Sequence, residues 1–195
     1  MAACSLDLQF QYTVGWEGST ADMKVLSWAL ESGGFSVPEG KYYLVDSGYA
    51  NTDKFLAPYR YHRYHLSEFL NRRCNRYSGP NELFNHRHAQ LRNVIECAFG
   101  VPKMCFKWLR CTPYYSFRAQ TRIALACCIL HNFIRREEGS DILFNMSQDE
   151  MDGVGDVRDE GNINLANEDI VGGDQMRTMI IGQLWGGGGR NITEG

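Results

Sequence analysis

Asp46 and Glu96 are the two carboxylates whose setting could do chemistry. Asp46 ends a short aromatic and β-branched run, Lys41-Tyr42-Tyr43-Leu44-Val45, and is followed by Ser47-Gly48, where the backbone can turn sharply. Strand ends in open α/β sheets face the crevice in which ligands bind, so an acid there could offer hard oxygen atoms to a divalent cation. Glu96 lies on a stretch of helical periodicity, off its apolar stripe, with Arg92 one turn earlier. Each acid also has an ordinary explanation. Asp46 could cap its own turn, and Glu96 could form a surface i,i+4 ion pair. The five histidines and seven cysteines show no zinc-ligand spacing, so they are read as structural or, for the histidines, phosphate-facing. Aromatic side chains interleave with basic ones from Lys54 to Phe117; they could stack bases, although packing in a core accounts for most of them.

Several elements must position these acids. Alternation from Leu6 to Val14 predicts a strand, and Ser19 or Thr20 could cap a helix from Ala21 to Leu30 with Gly33-Gly34 beyond it. The Lys41–Val45 run predicts a buried strand with Asp46 at its carboxyl end. Residues 54–80 have no clean period and predict irregular structure with one short helix. Leu91, Val94, Ile95, Ala98 and Phe99 fall on one helical stripe, predicting a helix from Asn81 to Phe99 that Gly100 and Pro102 terminate. Another helix is predicted from Ser116 to Arg136, with an apolar face wide enough for deep burial.

Charge is segregated along the chain, and the net value of −3 hides it. Residues 54–122 carry thirteen basic against three acidic side chains, and residues 137–195 carry thirteen acidic against three basic. A basic body suits a polyanionic partner, because neutralising phosphates releases counterions; a solvated face opposite its own acidic tail is the alternative. After Glu138 the composition turns to Gly, Asp, Asn and Glu, which cannot bury enough apolar surface to offset chain entropy. Residues 139–173 are therefore expected to be disordered, with one or two amphipathic turns over 176–185. No apolar stretch approaches the ~20 residues that span a bilayer. The cysteines form no CxxC pair, which predicts a reducing compartment, and the sequons at Asn145 and Asn191 are read as chance matches.

Taken together in order, "KYYLVDSGYANTDKFLAPYR", "YHLSEF", "ELFNHRHAQLRNVIE", "AFGVPK" and "CCILHNFIRRE" resemble the catalytic domain of PIF/Harbinger-type transposases and the nucleases derived from them, in the plant-like form. The resemblance runs from Met1 to Glu138. It implies an α/β, RNase H-like fold, a mixed sheet flanked by helices, carrying a DDE triad of acids. Asp46 in "LVDSGY" matches the second acid and Glu96 in "RNVIECAFG" the third. Such acids would hold Mg²⁺ or Mn²⁺ for phosphodiester cleavage, the metals being the only cofactor implied. The first acid of the family, in a "GxxDGTH"-like motif, has no match. Asp7 and Asp22 are the nearest spare carboxylates, and neither occupies its position.

The expectation is thus a domain over residues 1–138 that is incomplete at its amino end, followed by an acidic, Gly-rich, mostly disordered tail over 139–195. Its expected activity is that of a metal-dependent endonuclease or transposase, impaired for want of the first Asp. A catalytically inactive DNA- or protein-binding module is the alternative. The resemblance further implies DNA as partner, contacted by Arg87, Arg92, Lys103 and Lys107, a separate Myb-like DNA-binding protein, and a nuclear location with the cytosol as the other compartment.

Overall fold

In a computed structural model, residues 1–16, 20–69, 77–111, 114–138 and 167–186 are described. The chain is mixed α/β and divides into two compact units, Met1–Phe35 with Asn93–Val154, and Ser36–Arg92 with Gly155–Gly195.

The first unit begins with a hairpin, β1 (Ala2–Cys4) against β2 (Phe10–Thr13), antiparallel with a bulge at Ala3/Cys4. A single strand from Leu6 to Val14 is therefore not what forms. Ser5 turns the chain, donating its N–H to the Gln9 carbonyl and accepting from Leu8, and Leu6 is left exposed. Leu8 adopts φ 63°, a costly region for a branched residue. Its side chain is buried, and its carbonyl accepts a 2.9 Å hydrogen bond from His131, which together hold it there.

Helix α1 (Asp22–Glu31) buries Met23, Val25, Leu26 and Ala29 and carries Asp22 in its first turn, where the helix dipole favours an acid. Its N-cap is Ala21, with no side-chain cap, so the capping role considered for Thr20 is not filled; Ser19 lies outside the described residues.

Helix α4 (Phe117–Glu138) packs on β2. Asn132 supplies what a neighbouring strand would: its side-chain oxygen accepts the Phe10 N–H at 2.8 Å and its amide donates to the Phe10 carbonyl at 2.8 Å. Leu8, Phe10, Cys97, Ala98 and Cys128 form the core of this unit.

The second unit holds β3 (Tyr43–Leu44) and β4 (Phe55–Leu56), paired in parallel as Tyr43 with Phe55 and Leu44 with Leu56. Between residues 54 and 80 there is also the short helix α2 (Leu66–Phe69). Among the described residues the strands thus make two two-stranded ladders, not one mixed sheet. A ladder of two strands is marginal in water, and each gains a helix as its support. For β4 that support includes α5 (Asn167–Gly186).

α5 corrects the expectation for the tail. Residues 167–173, read as disordered, begin a helix, and it extends well beyond the one or two turns expected over 176–185. Gly173 is the reason it can dock: a Cβ there would stand 2.7 and 2.8 Å from the backbone C and Cα of Thr52. Residues 139–166 and 187–195 lie outside the described residues.

Helix α3 (Pro80–Cys105) contains the boundary between the units, after Arg92. It does not stop at Gly100 and Pro102 but runs through both. Proline forfeits the hydrogen bond to the carbonyl four residues back, a cost of ~3 kcal/mol in a helix interior. Ala98, Val101 and Pro102 are almost completely buried, and that burial offsets the loss. The helix ends where Phe106 donates to the Pro102 carbonyl.

Candidate functional site

The acid at Asp46 is built from the strand outward. Tyr43 N–H donates to the Lys54 carbonyl and Val45 N–H to the Leu56 carbonyl, at 2.9 and 3.0 Å, so β3 is fixed up to the residue before Asp46. Asp46 then turns the chain twice over: its Oδ1 accepts the Ser47 N–H at 2.8 Å and its carbonyl accepts the Tyr49 N–H at 3.0 Å. The turn-capping role is real, and it leaves Oδ2 facing outward. There Arg92 Nη2 lies 3.4 Å away, the Asp46 side chain being 44% and the Arg92 side chain 24% exposed.

α3 holds Arg92 over the strand end through His88, one of the histidines read as structural or phosphate-facing, and through Asn85 and Glu82, which sequence reasoning did not single out. His88, one turn before Arg92, donates from Nε2 to the Leu56 carbonyl at 2.9 Å. Burial, helped by the nearby Arg92 charge, pulls His88 down to about 4, so the ring is neutral at pH 7. Asn85, fully buried, accepts from Tyr59 N–H at 2.7 Å and donates to the carbonyls of Tyr59 and Arg63 at 2.9 and 3.2 Å. Glu82, also buried, takes the Arg63 guanidinium and the Ser78 N–H. The Arg63 hydrogen bond is the main reason that Glu82 is held at about 2, burial opposing it. Glu82, Asn85 and His88 recur at every third residue along the buried side of α3. That spacing was the available signal, polar side chains recurring on the buried side of a helix.

Of the other residues expected at the site, Arg87 is exposed and donates to Gln90 Oε1 at 3.0 Å. Glu96 is exposed on α3 beside the buried Cys97 and Ala98, and belongs to the other unit. Lys103 and Lys107 are exposed in that same unit. The structure therefore brings Asp46 and Arg92 into contact, and places Glu96, Lys103 and Lys107 in a different unit from them.

His86, His88 and His131 are buried, His86 bonded through Nδ1 to the Tyr77 hydroxyl at 2.6 Å. They serve the core, as do Tyr59, Phe69, Tyr77 and Phe84, whose rings pack on one another and on His86 and His88. Cys127 and Cys128 are both buried, and burial pushes the Cys128 thiol up to about 11. Both fill packing positions.

The donor chemistry of Asp46 and Glu96 suits a hard divalent cation, whose ligands are oxygens. The count is short of a centre: among the described residues no three of His, Cys, Asp and Glu converge as a metal site, and Asp46 has a guanidinium as its neighbour. No helix among them is long and apolar enough to cross a membrane.

Comparison with known proteins gives one family. No curated protein and no solved structure matches the chain. A family model described as DDE superfamily endonuclease matches residues 1–132, which include both Asp46 and Glu96. On a match over that much of its length, the chain belongs to the DDE superfamily endonucleases.

Proposed function

We propose that this chain is a transposase-derived nuclease domain of PIF/Harbinger type, in which Asp46 and Glu96 are the second and third acids of the triad and ligands for Mg²⁺ or Mn²⁺. The observation that carries this reading is the family match across both residues, with Asp46 standing at the end of a parallel strand. When bound, the metal would supply Lewis-acid stabilisation of charge at a DNA phosphodiester. The chain's own part is to present carboxylate oxygens, to hold Asp46 rigid through the Ser47 and Tyr49 N–H groups, and to offer exposed Arg87, Lys103 and Lys107 to phosphates. Arg92, beside Asp46, is a fourth such cation. The domain acts in the nucleus with a separate Myb-like protein for target binding.

A second reading is favoured by one contact. Arg92 on Asp46 compensates the carboxylate without a metal, as expected of a DNA- or protein-binding module that no longer cuts. The test is Mn²⁺-dependent nicking of supercoiled DNA by the chain and by Asp46→Ala and Glu96→Ala. Nicking by the parent that both variants lose establishes the nuclease. If the parent nicks no faster than the variants, the nuclease reading fails, and DNA affinity that falls steeply with salt then identifies the binding module.

A further inference from the structure

Helix α4 has two faces of opposite character, both within the unit that holds Asn93–Val154. One face buries Cys127, Cys128 and His131 and clamps Phe10 through Asn132. The other leaves Ile129 60%, Leu130 48% and Phe133 60% exposed, with exposed Ala126 among them and exposed Arg122 and Glu137 at the two ends. Steps of three and four residues connect these positions, so they form one stripe along the helix.

Single exposed apolar side chains are ordinary on a protein surface. The order along this stripe is less so, because it is complementary to itself when reversed about the point midway between Ile129 and Leu130. Against an antiparallel copy, Arg122 stands opposite Glu137, Ala126 opposite Phe133, and Ile129 opposite Leu130. Each pairing occurs twice, as a two-fold interface requires. Large meets small and cation meets anion. A parallel pairing would instead set Phe133 on Phe133 and Arg122 on Arg122. The other two cations at that end of the helix are turned away to the hairpin: Arg135 donates to the Asp7 carbonyl at 2.9 Å and Arg136 to Gln9 Oε1 at 3.3 Å. Glu137 is thereby left as the charge at that end of the stripe, as Arg122 is at the other.

We propose that this face of α4 is a self-association surface, joining two copies of the chain through antiparallel α4 helices. It is independent of the nuclease reading. Ile129, Leu130, Phe133 and Ala126 expose about 400 Å² per copy, and with the stems of Arg122 and Glu137 the pair would bury about 1,000 Å², the lower end of specific interfaces. A dissociation constant on the order of 10 µM is the matching expectation.

Sedimentation equilibrium of the full chain tests this. The parent should show a monomer–dimer equilibrium, and Ile129→Glu should raise the dissociation constant at least about tenfold, with unchanged far-UV circular dichroism. Should that variant fold poorly, the exposed ends still decide: Arg122→Glu and Glu137→Arg should each weaken association several-fold, and their combination should restore it. A parent that stays monomeric at about 100 µM overturns the proposal, as does undiminished association of Ile129→Glu. A double variant that associates no better than either single one overturns the antiparallel register.

Discussion

Glu82 offers the most decisive single measurement on how α3 is anchored over the Asp46 strand. Its side chain is 4% exposed and receives the Arg63 guanidinium and the Ser78 N–H, which hold it at about 2 against an ordinary 4.5. A tenfold change in an acid's dissociation constant corresponds to about 1.4 kcal/mol, so the ionised form contributes about 3 kcal/mol, reduced to roughly 2 kcal/mol because Arg63 remains partly in water. Glu82→Gln keeps the shape and removes the charge. At pH 7 urea unfolding should place the variant roughly 2 kcal/mol below the parent. The folded pKa is the lower one, so the contribution is complete above pH 4.5 and disappears as pH falls from 4.5 towards 2. The two unfolding curves should therefore converge over that window. His88 acts in a separate window: its folded pKa of about 4 lies below 6.5, so protonation of the unfolded chain erodes stability as pH falls from 6.5 towards 4, equally in parent and variant. A difference at pH 7 below about 0.5 kcal/mol, or one that stays constant down to pH 2.5, would refute the view that a buried charged pair fastens the first half of α3.

Two further outcomes follow from particular contacts. Gly173→Ala should destabilise the chain by about 1–2 kcal/mol in urea unfolding, although alanine is the better helix former, because the added Cβ meets Thr52 backbone that cannot yield; a stabilised variant would mean that α5 does not dock there. Arg92→Met should cost less than about 1 kcal/mol of stability, the pair with Asp46 being half in water, while tightening Mn²⁺ binding several-fold and weakening DNA binding; unchanged Mn²⁺ affinity, measured by the loss of the free-ion spin-resonance signal and compared with Asp46→Ala, would detach Asp46 from metal binding.

The features legible in the sequence are those set by local rules. The periodicity of α1 reports which face must leave water, and α1 and α4 both form within two residues of the expected bounds. The apolar face of α4 expected to be deeply buried nevertheless stays exposed at Leu125, Ile129, Leu130 and Phe133, while Cys127, Cys128 and His131 are buried instead. The strand ending at Asp46 was legible from its aromatic and β-branched run bounded by glycines, although only Tyr43 and Leu44 pair as a ladder. What escaped depends on partners distant in sequence. Pro102 reads as a stop, and it is overridden by burial that only the folded unit provides. The Gly-rich stretch around Gly172-Gly173 reads as disorder, because the sequence does not show that Thr52 backbone lies where a side chain would be. Arg92 has its partner by spacing in Glu96, while its contact with Asp46 crosses from helix to strand end and has no local signature. That contact also bears on chemistry. A carboxylate whose one oxygen is spent on its own turn and whose other faces a guanidinium has two opposed uses, metal ligand or ion-pair anchor. The family membership favours the first by ancestry, and the Arg92 contact favours the second by energy. Asp46→Asn separates them: it retains most of the turn and abolishes both charge interactions, so a loss of Mn²⁺ affinity without a loss of stability would place the acid's role in binding rather than in holding the fold.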